Sequence, residues 1–152
     1  EKVSPEDFIL LRAAVLFHDF GYIDKYLDNE TIGVDYAREI LPKYGFSPPQ
    51  IIKICDLIIS TKVPQKPNNH LERIICDADL DYLGRNDFLS ISSNFYRELK
   101  EYGMVKNKNH WDEIQIKFLR AHHFFTEHSI NNRSILKKKH LEFIKSRVSK
   151  NK

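Results

Sequence analysis

Ala13-Ala14-Val15-Leu16-Phe17-His18-Asp19-Phe20-Gly21-Tyr22 is an apolar run that delivers an imidazole and a carboxylate side by side, then stops at a glycine. The five residues before His18 are small or apolar, which predicts a buried helix ending near the pair. Burying both polar groups there is costly unless something pairs them, and a metal ion is the natural partner. A neutral ring nitrogen with a carboxylate is a mixed donor set that suits manganese, iron or magnesium better than a thiolate zinc site. Successive helical residues point roughly 100° apart, but at a helix end the chain bends, and Gly21 permits that bend so that both groups reach one ion. A His-Asp dipeptide by itself is more often a satisfied core histidine followed by a capping aspartate. The surrounding sequence has to decide.

Outward from this stretch the pattern is helical. Ser4-Pro5-Glu6-Asp7 reads as a helix start, with a capping serine, proline at the first position and acids at the positive end of the dipole. Asp28 or Asn29 can cap a second helix with Ile32, Tyr36, Ala37, Ile40 and Leu41 on one face, ended by Pro42 and Gly45. Ser47-Pro48-Pro49-Gln50 is a capping box ahead of an isoleucine-rich, largely buried helix. A loop over 63–69 follows, and Asn69 can cap a helix carrying Leu71, Ile74, Ile75 and Ala78 towards Asp79. Further helices are expected over 87–102, from Asn109 to about Glu127, and from about Asn132 to Arg147 with Ile135, Leu136, Leu141 and Ile144 as the buried stripe. With no alternating strand pattern, repeat or boundary, the sequence predicts a single all-α domain.

At 152 residues such a domain buries about 70% of its unfolded-chain surface and needs no staples. No segment approaches the roughly 20 apolar residues of a membrane span, and no signal peptide opens the chain, so a cytoplasmic protein is expected. Cys55 and Cys76 lie among isoleucines and leucines without Cys-x-x-Cys spacing, and read as reduced, buried hydrophobes. The net charge of +3 owes much to Lys137-Lys138-Lys139 and the tail from Lys145, a pattern more often a solvated helix face than a nucleic-acid footprint.

The pattern Leu10-x-x-Ala13-Ala14-x-Leu16-x-His18-Asp19-x-Gly21-Tyr22, followed by Cys76-Asp77-Ala78-Asp79-Leu80-Asp81-Tyr82-Leu83-Gly84-Arg85, resembles the HD-domain superfamily of metal-dependent phosphohydrolases from roughly Glu6 to Lys145. The resemblance implies a compact all-α HD-domain bundle over 1–152, holding a divalent ion by a histidine on an upstream helix, the His-Asp pair and a distant aspartate. His18 and Asp19 supply the pair. Asp79 matches the distant ligand best, with Asp77 as an outer partner and Asp81 as a weaker third candidate. Three aspartates interleaved with Ala78, Leu80, Tyr82 and Leu83 cannot all face water in a packed helical domain, and a cation removes their mutual repulsion. His18, Asp19 and Asp79 are therefore expected to converge although 60 positions separate the last two.

Two departures qualify the resemblance. No histidine precedes His18, and the chain opens on Glu1 with Met104 as its only methionine, so the helix bearing the first ligand is expected to lie upstream. Many relatives carry His-Glu where this chain has Asn29-Glu30, which favours a mononuclear site over a dinuclear one. The implied reaction is hydrolysis of a nucleotide or similar small phosphoester by a water that the ion activates. Lys25, Lys62 and Arg85 could neutralise phosphate, or be ordinary surface cations. The alternative is a catalytically inactive HD module with a regulatory role in a larger protein. His122, His123 and His128 are read as structural, because 123 and 128 are badly spaced for joint chelation and Phe118 to Thr126 resembles a packing segment of one bacterial HD subgroup. His70, His110 and His140 need no special role.

Overall fold

The computed structural model describes residues 1–150, the last of them by its backbone only. These residues form seven α-helices: α1 (Pro5–Phe17), α2 (Asn29–Ile40), α3 (Pro48–Ser60), α4 (His70–Asp79), α5 (Phe88–Glu101), α6 (Lys108–Ala121) and α7 (Glu127–Lys150). Short 3₁₀ turns cover Phe20–Ile23, Leu41–Tyr44 and Asp81–Gly84, and no strand occurs among the described residues. The chain is all-helical, as its periodicity predicts. It divides into two compact units, Glu1–Asp79 and a second beginning at Leu80, with no linker-like stretch between them in the sequence. The division falls inside the acidic run that the sequence treats as one feature.

In the first unit the helix starts are those the capping residues dictate. Ser4 Oγ accepts the Asp7 amide at 3.0 Å, the Ser47 amide donates to Gln50 Oε1 at 2.9 Å, and Asn69 Oδ1 accepts the Glu72 amide at 3.0 Å. α3 packs against both α1 and α2, and α4 against α3. Their inner faces meet in one apolar cluster that includes Leu10, Ala14, Phe17, Val34, Ile54 and Ile58. Both cysteines are free and buried in this unit. The expectation of a buried helix before His18 needs correcting on one flank: Leu16 is 73% exposed and Phe8 53%. Neighbouring helices cover one flank of α1, and its other flank faces outward.

In the second unit α6 and the Asp81–Gly84 turn pack on α7 around Leu83, Phe88, Leu119, Phe124 and Ile144. Asp112, only 2% exposed, accepts from Arg147 Nε at 3.1 Å and Gln115 Nε2 at 3.2 Å, so the buried carboxylate is paired. The cap of α6 is Asn107 rather than Asn109, with the His110 amide donating to its side chain at 3.0 Å. α6 stops at Ala121 because His122 is extended, and α7 begins at Glu127, earlier than expected, with Thr126 Oγ1 accepting the Ser129 amide. In the expected stripe of α7, Ile144 is fully buried but Ile135 is 69% exposed. No helix among the described residues is long and apolar enough to cross a membrane.

Candidate functional site

The end of α1 is held by two glycines. A Cβ on Gly33 of α2 would lie 2.3 Å from the Phe17 carbonyl oxygen, and one on Gly21 would lie 2.0 Å from that of Asn29. Only side chains of a single hydrogen let α2 press this closely on the segment leaving α1. As a result Asn29, 5% exposed, reaches back with Nδ2 to the His18 carbonyl at 3.2 Å and Asp19 Oδ1 at 3.3 Å.

α4 delivers Asp79 as its last residue to the same place. His18 Nε2 lies 3.2 Å from Asp19 Oδ2 and 3.5 Å from Asp79 Oδ1. The three side chains expected to converge do so, all within the first unit. The other ring nitrogen, Nδ1, is 2.9 Å from the Val15 carbonyl oxygen. A carbonyl can only accept, so Nδ1 carries hydrogen, and Nε2, facing two carboxylates, needs a positive partner of its own. Burial alone would push this imidazole down. The hydrogen bonds to Asp19 and Asp79 outweigh it and hold the ring up at about 10, so it is an imidazolium at neutral pH.

Asp79 is gripped from its other side. Gln65, in the loop after α3, places Nε2 at 3.1 Å from Asp79 Oδ2, 3.3 Å from the Cys76 carbonyl and 3.4 Å from that of Thr61. Its Oε1 is buried and has no hydrogen-bond partner. Asp19 remains 57% exposed, so the cluster is open to solvent on that side. Tyr22, about half exposed, stands close enough that burial and the negative charge of Asp19 push its phenol up, and its ring packs 5.3 Å from that of Tyr26.

The remaining acids of the run separate cleanly. Asp77 is 2% exposed on α4, while Asp81 belongs to the second unit, where Arg133 Nε donates to it at 2.6 Å and Arg85 lies 3.6 Å away. Of the candidate phosphate-binding cations, Lys62 bonds Asp28 Oδ1 at 2.6 Å and Arg85 in the second unit donates to Asp87 at 3.0 Å. Lys25, just past the Phe20–Ile23 turn, is exposed. Sequence reasoning missed Gln65 altogether and read Asn29 as a possible helix cap and as a departure from His-Glu, not as a partner of Asp19. A loop glutamine carries no periodicity or spacing, so its contact with Asp79 had no signal to find.

Small divalent ions bind oxygen at about 2.1 Å, so neighbouring donors around one ion lie about 3 Å apart. The separations of 3.2 and 3.5 Å from His18 Nε2 are a little longer and are those of a protonated ring paired with two carboxylates. Among the described residues no group of three or more His, Cys, Asp and Glu side chains is placed so that it could hold a metal ion. No family model, curated protein or solved structure matches the chain.

Proposed function

We propose that this chain is a mononuclear, metal-dependent phosphohydrolase of the HD type, acting on a nucleotide or similar small phosphoester, with His18, Asp19 and Asp79 as protein ligands. The observation that carries the reading is a single ring nitrogen held between two carboxylates while its partner nitrogen is tied to the Val15 carbonyl. With Nδ1 tied to that carbonyl, Nε2 is the nitrogen that would donate once its proton is lost, and orienting a ligand histidine through its other nitrogen is how such ligands are usually fixed. A dication can take the place of the Nε2 proton and balance both carboxylates.

When bound, such an ion supplies a nucleophile from water near neutral pH and polarises a phosphoryl oxygen. The chain's own residues do the rest. The exposed edge of Asp19 leaves an approach for substrate, Tyr22 offers an aromatic wall beside it, and Lys25 and Lys62 of the same unit are the candidates for phosphate charge. Lys62 would have to leave Asp28 to serve. The cysteines suit a reducing, cytoplasmic setting: Cys76 donates to the Ser60 carbonyl, and burial pushes its thiol up to about 11, so it stays protonated.

The second reading, a non-catalytic regulatory module, draws on the same triad, because a proton on Nε2 already satisfies both carboxylates. Manganese titration by calorimetry, with hydrolysis of a chromogenic phosphodiester, separates the two. Binding and turnover that both vanish in Asp79→Ala support the enzyme. A wild-type protein that takes up no manganese, iron or magnesium supports the module.

A further inference from the structure

The outward flank of α1 forms one wall of an apolar groove of about 550 Å³. Ile9, Arg12, Ala13, Leu16 and Phe17 line that wall, a spacing of three and four that puts them on one helical face, and Phe20 continues it past the helix end. The opposite wall comes from the end of α2 and the turn behind it, between Ile40 and Phe46. The walls run antiparallel: Gly33 of α2 presses on the Phe17 carbonyl at one end, and Gln50, just beyond Phe46, bonds Glu6 at the other. Every lining residue belongs to the first unit. Ile9, Leu16 and Tyr44 stand open to solvent, an apolar surface that a ligand would cover.

Arg12 is the one charged residue among those that line the groove, and apart from the Tyr44 phenol every other lining side chain is hydrocarbon. Arg85, Arg133 and Arg147 each hold a carboxylate, whereas Arg12 has no ion-pair partner among the described residues. Its guanidinium rests 5.9 Å from the centroid of the Phe8 ring. We propose that the groove binds one molecule of a long-chain monocarboxylate, with the alkyl chain along the Leu16, Phe17 and Phe46 walls and the carboxylate on Arg12. This does not depend on whether His18, Asp19 and Asp79 hold an ion.

Size and charge choose the occupant. The volume falls in the range of small-molecule pockets, roughly 300–1,000 Å³. A guanidinium takes a carboxylate through two parallel hydrogen bonds, so one unpaired arginine in a hydrocarbon lining matches a ligand with one anionic end and an apolar remainder. An anionic membrane surface is the poorer match. Such surfaces are held by clusters of about 4–8 lysines and arginines, while the formal charge over 1–79 is −4 and Arg12 is alone in the groove.

The test is calorimetric titration of the full chain with octanoate, decanoate, dodecanoate and 1-dodecanol, each below its micelle or solubility limit, for the wild type, Arg12→Gln, Leu16→Asp and Ile135→Asp. Leu16 and Ile135 are both largely exposed, so neither substitution disturbs a core, and circular dichroism should match the wild type. Wild type should saturate at one dodecanoate per chain, with affinity rising by up to about 15-fold for each two methylenes added. Arg12→Gln should weaken dodecanoate about tenfold and leave 1-dodecanol unchanged. Leu16→Asp should remove binding of both, and Ile135→Asp, on the second unit, should remove neither. Four results overturn the proposal: no saturable uptake by the wild type, affinity indifferent to chain length, equal loss of acid and alcohol in Arg12→Gln, or equal loss in Leu16→Asp and Ile135→Asp. Two other occupants would show themselves directly and overturn it as well. A wild-type dimer that Leu16→Asp makes monomeric, without dodecanoate uptake, assigns the groove to a second copy. Sedimentation with phosphatidylglycerol vesicles that Leu16→Asp abolishes, again without dodecanoate uptake, assigns it to a membrane.

Discussion

His18 and His122 occupy equivalent places, each the first residue past a helix and each partly buried, yet they are opposites in charge. His18 has an acceptor at every nitrogen, the Val15 carbonyl on one side and two carboxylates on the other. His122 meets the ammonium of Lys137 3.1 Å from Nδ1, and its Nε2 is buried without a partner. The first is held up at about 10; the second is pushed down to about 3, first by burial and then by the Lys137 charge. Residue type and helical position are the same in both units, so burial and the partners decide. Two carboxylates keep a proton on His18, while burial beside an ammonium keeps one off His122.

The sharpest break in that comparison is a ligand deletion. Asp79→Ala should weaken manganese binding by more than about 100-fold, since loss of an outer partner alone typically costs about 10–100-fold. His122→Leu should leave binding as it was. If the two variants bind alike, the contrast between the histidines has no functional meaning.

The second unit has its own buried charge to test. Arg147→Leu leaves Asp112 without its guanidinium in an interior position, at a cost of about 3–5 kcal/mol, and chemical denaturation should show it. The reverse result, little loss, would mean that Gln115 and water suffice for that carboxylate.

Gly33→Ala probes the first unit by geometry instead of charge. Its new methyl must displace the Phe17 carbonyl, so a loss of about 1–3 kcal/mol is expected, together with weaker manganese binding as Asn29 is drawn away from Asp19. Loss of stability with unchanged binding would separate the packing of α2 from the site.

How much of this was legible in the sequence follows from the range of each signal. Capping residues act within one turn, and Ser4, Ser47 and Asn69 start their helices where the sequence says they should. The meeting of His18 with Asp79 was legible because an apolar helix ends at each. The break before Leu80 was not: the acidic run from Asp77 to Asp81 carries across it, and the change in formal charge from −4 over 1–79 to +7 over 80–152 is spread along the chain instead of marking a linker. The early end of α6 was hidden too. Lys137, fifteen positions away, donates to the His122 carbonyl just past that end, and no local pattern encodes the contact. Gln65 belongs with these: its value lies in what α4 brings to it.

The smallest expected effect, and the most specific to the second unit, is the response of His122 to acid. Unfolded, this imidazole takes a proton near pH 6.5; folded, it resists until about pH 3. Above about 6.5 the ring is neutral in both states and contributes nothing to pH dependence. Between about 6.5 and 3 the unfolded chain binds one more proton than the folded one, so stability falls as pH falls across that window. Burial sets this first, walled by the rings of Phe118 and Phe124, which offer no acceptor, and the charge of Lys137 adds to it, with His123 the smallest contribution. The effect is moderated because the ring is not fully enclosed. His122→Leu cannot take the proton in either state, so denaturation midpoints measured at pH 7, 5 and 4 should decline less steeply than in the wild type. Parallel slopes would mean that Nε2 finds an acceptor in solution and that the ring titrates as an ordinary histidine. The contrast with His18 would then lie in only one of the two.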